Sequence, residues 1–121
     1  MPKVLIVDDS SVSRMMIKGR IVALQPTWEI VEAASGDIAL TMITPDGPDF
    51  ITMDVNMPGI TGFEAVERIR QVNTTAKIAM LTANIQESSR DKAAMLGVKF
   101  VQKPATLAAV QQAVDYFLAG A

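Results

Sequence analysis

The sequence contains neither cysteine nor histidine among its 121 residues. Without cysteine, the chain cannot form a disulfide or use a thiolate as a nucleophile. Without histidine, it has no imidazole for a Ser-His-Asp triad, for a metal site or for a phosphohistidine. Several common catalytic and metal centres are therefore excluded, and the side chains left to carry chemistry are carboxylates, hydroxyls and lysines.

Clusters of basic residues and long hydrophobic runs are also absent. Eleven basic and thirteen acidic residues give a formal net charge of −2, and lysine and arginine are scattered along the chain. Direct binding of nucleic acid therefore has little support. No apolar run approaches the ~20 residues that a membrane-spanning helix needs, and no signal-peptide pattern follows Met1. We expect no membrane insertion and a cytoplasmic location.

Short hydrophobic runs alternate with amphipathic segments along the whole chain. Half of the residues are hydrophobic, which suits a folded domain with one core. The β-like runs are residues 3–7, 28–33, 50–53, 78–81 and 98–101. Their alternation with helix-like segments predicts βαβ units around a parallel sheet. We expect residues 1–121 to form a single domain.

Charged residues within these runs predict the order of the strands. The first, third and fourth runs are almost free of charge, as strands covered on both faces must be. The second and fifth contain Glu29, Glu32 and Lys99, which suits the edges of a sheet. We therefore predict an α/β fold: a doubly wound, five-stranded parallel sheet of order 2-1-3-4-5 with five helices on both faces.

Two details of the predicted helices are less regular. Gly19 stands inside the first helix, where glycine costs about 1 kcal/mol relative to alanine, and this predicts a close packing contact. Ser88 or Ser89 is expected to cap the fourth helix.

Polar residues follow the ends of four of the predicted strands. Asp8 and Asp9 follow the first run, Asp54 the third, Thr82 the fourth and Lys103 the fifth. Because the carboxyl ends of parallel strands lie along one edge of a sheet, we expect these side chains to converge there. In the order 2-1-3-4-5, the ligand crevice lies between the first and third strands.

Three carboxylates in one crevice repel each other unless a cation compensates. Mg²⁺ fits this position because it prefers oxygen ligands and accepts one or two carboxylates together with waters and a phosphate. With Mg²⁺ and Lys103 present, the formal charges of the three aspartates cancel. Such a site is suited to taking a phosphoryl group onto a carboxylate.

These residues resemble the receiver domain of bacterial two-component response regulators, the CheY-like family. The resemblance covers essentially the whole chain and rests on Asp8-Asp9, on Asp54 within MDVNMPGITG, on Thr82-Ala83 and on Lys103-Pro104. It implies phosphoryl transfer from a sensor histidine kinase or a phosphotransfer protein. It further implies that the fourth helix, fifth strand and fifth helix form a switched surface for a downstream effector protein, as in chemotaxis and motility signalling.

The resemblance also implies a metal site and a phosphoacceptor. Asp54 would be the phosphoacceptor and a Mg²⁺ ligand. Asp9 would bind Mg²⁺ directly, Asp8 through water, and Asn56 through its backbone carbonyl. Asn56 and Asn84 would also tune the lifetime of the acyl phosphate.

Further residues are implied to hold the phosphoryl group and to transmit its presence. Thr82, Lys103 and the Ala83 N–H would bond the phosphoryl oxygens, and Phe100 would reorient with Thr82 as the switch. The peptide bond between Lys103 and Pro104 is expected to be cis. Phe100 lacks the hydroxyl of the tyrosine that is common at this position.

A second departure from the family pattern concerns the fifth helix. Ala105 stands where many members have phenylalanine, which puts the start of that helix in question.

Two other functions remain alternatives. A small aspartyl-phosphate hydrolase of the haloacid-dehalogenase type also uses an aspartate at a strand end, but its Asp-x-Asp motif has Asn56 here, which cannot exchange protons. The other is a receiver-like interaction module that is never phosphorylated. Since the chain ends soon after the fifth helix, we expect a stand-alone regulator acting through protein contacts, with an excised receiver of a longer regulator as the alternative.

Overall fold

The computed structural model of the chain describes residues 2–83 and 87–119. Within these residues the strands are β1 (Lys3–Val7), β2 (Glu29–Ala33), β3 (Phe50–Asp54), β4 (Lys77–Thr82) and β5 (Lys99–Gln102). The helices are α1 (Ser11–Leu24), α2 (Gly36–Leu40), α3 (Gly62–Val72), α4 (Glu87–Leu96) and α5 (Leu107–Leu118). The sheet is parallel throughout, with the order β2-β1-β3-β4-β5. The predicted fold class and strand order are confirmed.

Alternating side chains of the strands build two hydrophobic layers, one on each face of the sheet. In β1, Leu5 and Val7 belong to the layer that α2, α3 and α4 cover. Val4 and Ile6 belong to the opposite layer, which α1 and α5 cover. The central strands β1, β3 and β4 are therefore buried on both faces, whereas the edge strands keep Glu29, Glu32 and Lys99 in solvent.

Hydroxyl side chains start four of the five helices. Each accepts a hydrogen bond from the backbone N–H three residues on, at 3.1–3.2 Å. The capping residues are Ser10, Ser35, Thr61 and Thr106. Because each cap fixes where its helix begins, it also fixes the length of the loop that follows the preceding strand.

Two expectations about the helices are wrong. Gly19 is exposed, and a Cβ atom added there would meet nothing within 4 Å, so the glycine marks no close packing contact. Helix α4 begins at Glu87, which places Ser88 and Ser89 inside the helix rather than at its cap.

In the described part of the chain, no helix is long and apolar enough to cross a bilayer.

Candidate functional site

Three carboxylates meet at the carboxyl edge of the sheet. Val7 lies opposite Met53 in the register of β1 and β3, so Asp8 and Asp54 emerge beside each other. Asp9 follows in the loop, and one oxygen from each of the three aspartates lies within 4.8 Å of the others. Asp8 and Asp54 are 1% and 8% exposed, whereas Asp9 is exposed.

Asp8 is held by hydrogen bonds to both of its carboxylate oxygens. Oδ1 accepts from the Ser10 N–H at 2.9 Å, and Oδ2 accepts from Ser13 Oγ at 2.7 Å and from Lys103 Nζ at 2.8 Å. Burial alone would raise the pKa of Asp8, but these hydrogen bonds together hold it below its usual value. Asp8 is therefore an ionised carboxylate in a fixed orientation.

The negative charge of Asp54 is balanced by fewer nearby donors and cations than that of Asp8. Burial is the largest effect and raises its pKa to about 6; the charge of Lys103 lowers the pKa, and the charges of Asp8 and Asp9 raise it further. Lys103 Nζ is 3.7 Å from Asp54 Oδ1, and the Asn56 backbone N–H also donates to this carboxylate. The Asp54 anion is thus in a position that favours an additional cation.

Lys103 reaches the crevice from the loop after β5. Its backbone N–H donates to the Thr82 carbonyl at 2.7 Å, which holds the loop against the end of β4. The peptide bond to Pro104 is cis, as expected. The side chain lies between Asp8 and Asp54, so the structure brings together residues from the ends of three strands.

The remaining predicted residues lie around this centre. Thr82 is fully buried at the end of β4, one residue beyond the partner of Asp54 in the sheet. Ala83 and Asn56 are exposed. Phe100 is half-buried and packs with the layer beneath α3 and α4. Asn84 lies outside the described residues.

A groove of about 450 Å³ adjoins the site. It is lined by Ser10, Val12, Ser13, Met16, Ala83, Lys103, Pro104 and Ala105. Ala105 is buried, and α5 begins normally at Leu107 with Thr106 as its cap. Alanine at this position therefore does not disturb the start of the helix.

The sequence reasoning missed two residues that shape the site. The hydroxyl of Ser13 donates to Asp8 Oδ2 at 2.7 Å. Gly62 lies so close to the end of β3 that a Cβ atom would collide with the Asp54 carbonyl oxygen, and its N–H donates to the Val55 carbonyl at 2.9 Å. Glycine at this position lets α3 begin directly against the strand that presents Asp54. In the sequence, Gly62 is the last residue of the motif MDVNMPGITG, and this glycine was the signal that could have indicated the contact.

Comparisons with known proteins agree over nearly the whole chain. The family model for the response regulator receiver domain matches residues 4–115. The chemotaxis protein CheY of Bacillus subtilis is 36% identical over 115 residues, which cover 93% of this chain and 94% of that protein. The solved structure of the Vibrio cholerae chemotaxis protein CheY4 superposes with a TM-score of 0.83 at 30% identity, covering 98% of this chain and 99% of that one.

Similar sequences also occur inside longer proteins. A protein-glutamate methylesterase/protein-glutamine glutaminase of Anaeromyxobacter dehalogenans is 37% identical over 108 residues, which cover 88% of this chain but 31% of that protein. The common element is thus the receiver domain. The chain belongs to the response regulator receiver domain family, the phosphoacceptor domains of two-component signalling.

Proposed function

We propose that residues 1–121 act as one receiver domain in which Asp54 is the phosphorylated residue. The observation that carries this proposal is that the three carboxylates differ in their burial and in the hydrogen bonds they accept. Both oxygens of Asp8 accept hydrogen bonds, and Asp9 is exposed. Asp54 is buried beside Lys103, which also contacts Asp8, so its carboxylate is the one suited to attack a phosphorus atom.

The oxygen-rich donor set fits Mg²⁺. The carboxylates of Asp8, Asp9 and Asp54 would hold the ion together with the Asn56 carbonyl, and a hard cation prefers such oxygen ligands. Bound Mg²⁺ would supply positive charge to balance the phosphoryl oxygens. Burial raises the pKa of Asp54, and the charges of Asp8 and Asp9 add to this effect, so a cation bound beside the three carboxylates would stabilise the Asp54 anion.

The transfer itself is a displacement at phosphorus. An Asp54 oxygen forms the new O–P bond while the N–P bond of a phosphohistidine on a sensor kinase or phosphotransfer protein breaks. The imidazole leaves with the electron pair of that bond. Lys103 Nζ, the Thr82 hydroxyl and the Ala83 N–H receive the phosphoryl oxygens, so this chain contributes positioning and electrostatic stabilisation.

The response to phosphorylation is a population shift between two packings. Thr82 and Gln102 are partners in the sheet, and Phe100 lies two residues before Gln102 on the same strand. Movement of Thr82 towards the phosphoryl group would open space for Phe100 and change the surface formed by α4, β5 and α5. An effector protein binds that surface, as in chemotaxis and motility signalling, and Asn56 and Asn84 set the rate at which water removes the phosphoryl group.

Labelling with acetyl phosphate and Mg²⁺ tests this proposal. Intact mass measurement is expected to show one added phosphoryl group on the wild type and none on Asp54→Asn. Asp46→Asn is the matched control, because Asp46 lies in an exposed turn away from the crevice and its loss should leave labelling unchanged.

A steady-state assay with a generic phosphomonoester tests the first alternative, and the intact mass measurement tests the second. A hydrolase of the haloacid-dehalogenase type would turn over a generic phosphomonoester repeatedly, whereas a receiver becomes labelled without such turnover. An interaction module that is never phosphorylated would keep its mass unchanged. Either result would contradict the proposal.

A further inference from the structure

Arg14 connects the acidic crevice to the edge strand β2. Its Nη1 atom donates to the backbone carbonyl of Asp8 at 2.6 Å, and its Nε atom donates to Glu32 Oε1 at 3.3 Å. The Arg14 side chain is 18% exposed, so the contact with Asp8 is shielded from much of the solvent. Glu32 Oε2 lies 3.8 Å from Lys18 Nζ, which supports the glutamate from the other side.

The carbonyl that Arg14 binds belongs to the peptide bond between Asp8 and Asp9. Because a peptide unit is planar, fixing its oxygen fixes the direction in which the chain enters Asp9. The preceding peptide is held from β2, since the Asp8 N–H donates to the Ala33 carbonyl at 3.1 Å. Asp9 is exposed, so its own packing contributes little to orienting its carboxylate.

We propose that Arg14 is a positioning residue for the acidic crevice. Through the Asp8–Asp9 peptide it sets the direction of the Asp9 carboxylate, and it thereby raises the affinity of the crevice for Mg²⁺. Glu32 holds the guanidinium in place, so the affinity depends on a residue of the edge strand that does not line the crevice. This inference rests on the proposed function, because it takes Mg²⁺ as the ion that the crevice binds.

The direction in which the Mg²⁺ affinity changes in Arg14 variants distinguishes a positioning role from a purely electrostatic one. Arg14→Gln removes a positive charge near three carboxylates, which by charge alone would make Mg²⁺ bind more tightly. Loss of a positioning contact acts in the opposite direction and weakens binding. Arg14→Lys keeps the charge but loses the planar fork that reaches both partners, so it should weaken binding as well.

Isothermal titration of each metal-free protein with Mg²⁺ alone provides the test. We expect the Kd of Arg14→Gln to rise about tenfold, as for other residues that orient metal ligands, and that of Arg14→Lys to rise in the same direction. Arg68→Gln is the matched control, because it removes the same charge from the exposed pair with Glu64 on α3. Its Kd should stay within about twofold of the wild type, a change of less than half a kcal/mol.

A second readout requires no metal. The amide of Asp9 shares its peptide unit with the Asp8 carbonyl, so its ¹⁵N chemical shift should change in Arg14→Gln and stay unchanged in Arg68→Gln. If Arg14→Gln does not fold, Arg14→Lys tests the same contact at unchanged charge, and it should weaken Mg²⁺ binding.

The outcomes distinguish this inference from the proposed function. If the wild type binds Mg²⁺ and is phosphorylated but the Arg14 variants bind Mg²⁺ as tightly or more tightly, the positioning role is wrong and the proposed function stands. If the wild type binds no Mg²⁺, both are wrong.

Discussion

Lys103 Nζ lies 2.8 Å from Asp8 Oδ2 and 3.7 Å from Asp54 Oδ1, so one ammonium group is shared unequally between two buried carboxylates. The closer contact belongs to Asp8, whose pKa is lowered, and the longer one to Asp54, whose pKa is raised. The lysine therefore leaves Asp54 partly uncompensated.

The first prediction concerns the lysine itself. Lys103→Met removes the ammonium group that contacts the carboxylates of both Asp8 and Asp54, while keeping much of the aliphatic chain. Leaving a buried carboxylate unpaired typically costs about 3 kcal/mol or more, so the metal-free variant should lose about that much free energy of unfolding in urea. Lys99→Met, at an exposed position of β5, should change stability by less than about 0.5 kcal/mol.

Loss of the lysine should leave Mg²⁺ binding in place but abolish the conformational response to phosphorylation. Lys103→Ala is expected to bind Mg²⁺ still, but NMR shifts around Phe100 should no longer change on phosphorylation. A full wild-type shift pattern in this variant would contradict the role given to Lys103.

The second prediction concerns pH. The pKa of Asp54 in the fold, about 6, exceeds the ordinary value of 3.8 for an aspartate, so folding favours the neutral form relative to the unfolded chain. The contribution of Asp54 to stability should therefore be largest below about pH 4, decrease as the pH rises to about 6, and stay constant above that. Asp54→Asn removes this loss and should raise the free energy of unfolding by about 3 kcal/mol at pH 7 without metal.

Asp8 contributes to the pH profile with the opposite sign. Because the pKa of Asp8 is lowered in the fold, its ionised form stabilises the fold above the ordinary aspartate value of 3.8. This stabilisation is lost as the pH falls through the lower pKa of the folded state. Urea unfolding of wild type and Asp54→Asn from pH 3 to 8 therefore isolates Asp54 as the difference between the two curves. A difference that does not vary with pH would contradict the assignment.

The third prediction concerns Mg²⁺ as a stabilising ligand. At one hundred times its Kd, an ion that binds only the folded state adds about 2.7 kcal/mol to the free energy of unfolding. Thermal melts should show this gain for the wild type and for Asp46→Asn, and a much smaller one for Asp9→Asn. An equal gain in Asp9→Asn would place the ion elsewhere.

The fourth prediction concerns Ser13. Its hydroxyl donates to a buried charged oxygen of Asp8 at 2.7 Å, so Ser13→Ala should cost about 1.5 kcal/mol of stability. Ser13→Thr keeps the hydroxyl and should recover much of this loss. Ser11→Ala, at an exposed position of the same helix, is the control. Equal stabilities of the two alanine variants would show that the hydrogen bond does not contribute.

The sequence predicted the topology well because charge and strand position are linked physically. Glu29, Glu32 and Lys99 are tolerated only where one face or edge meets water, so they identified the edge strands. In that order the parallel strands end at one edge of the sheet, which predicted that Asp8, Asp54 and Lys103 lie together. The structure brings these three residues into contact there.

Contacts that depend on packing distances could not be predicted in the same way. Whether Gly19 or Gly62 faces a neighbour depends on how closely two elements approach, and only Gly62 does so. The hydroxyl of Ser13 and the guanidinium of Arg14 reach Asp8 because α1 leaves the β1 loop at a particular angle. Periodicity predicts which face a residue occupies, but it does not predict such an angle.

The central claim is that Asp54 accepts the phosphoryl group, and mapping the modified residue tests it most directly. Borohydride reduces an aspartyl phosphate to homoserine, which marks the modified residue in a peptide digest. After treatment of the wild type with acetyl phosphate and Mg²⁺, we expect peptide sequencing by mass spectrometry to find homoserine at position 54. Homoserine at position 8 or 9, or at none of the aspartates, would contradict the account.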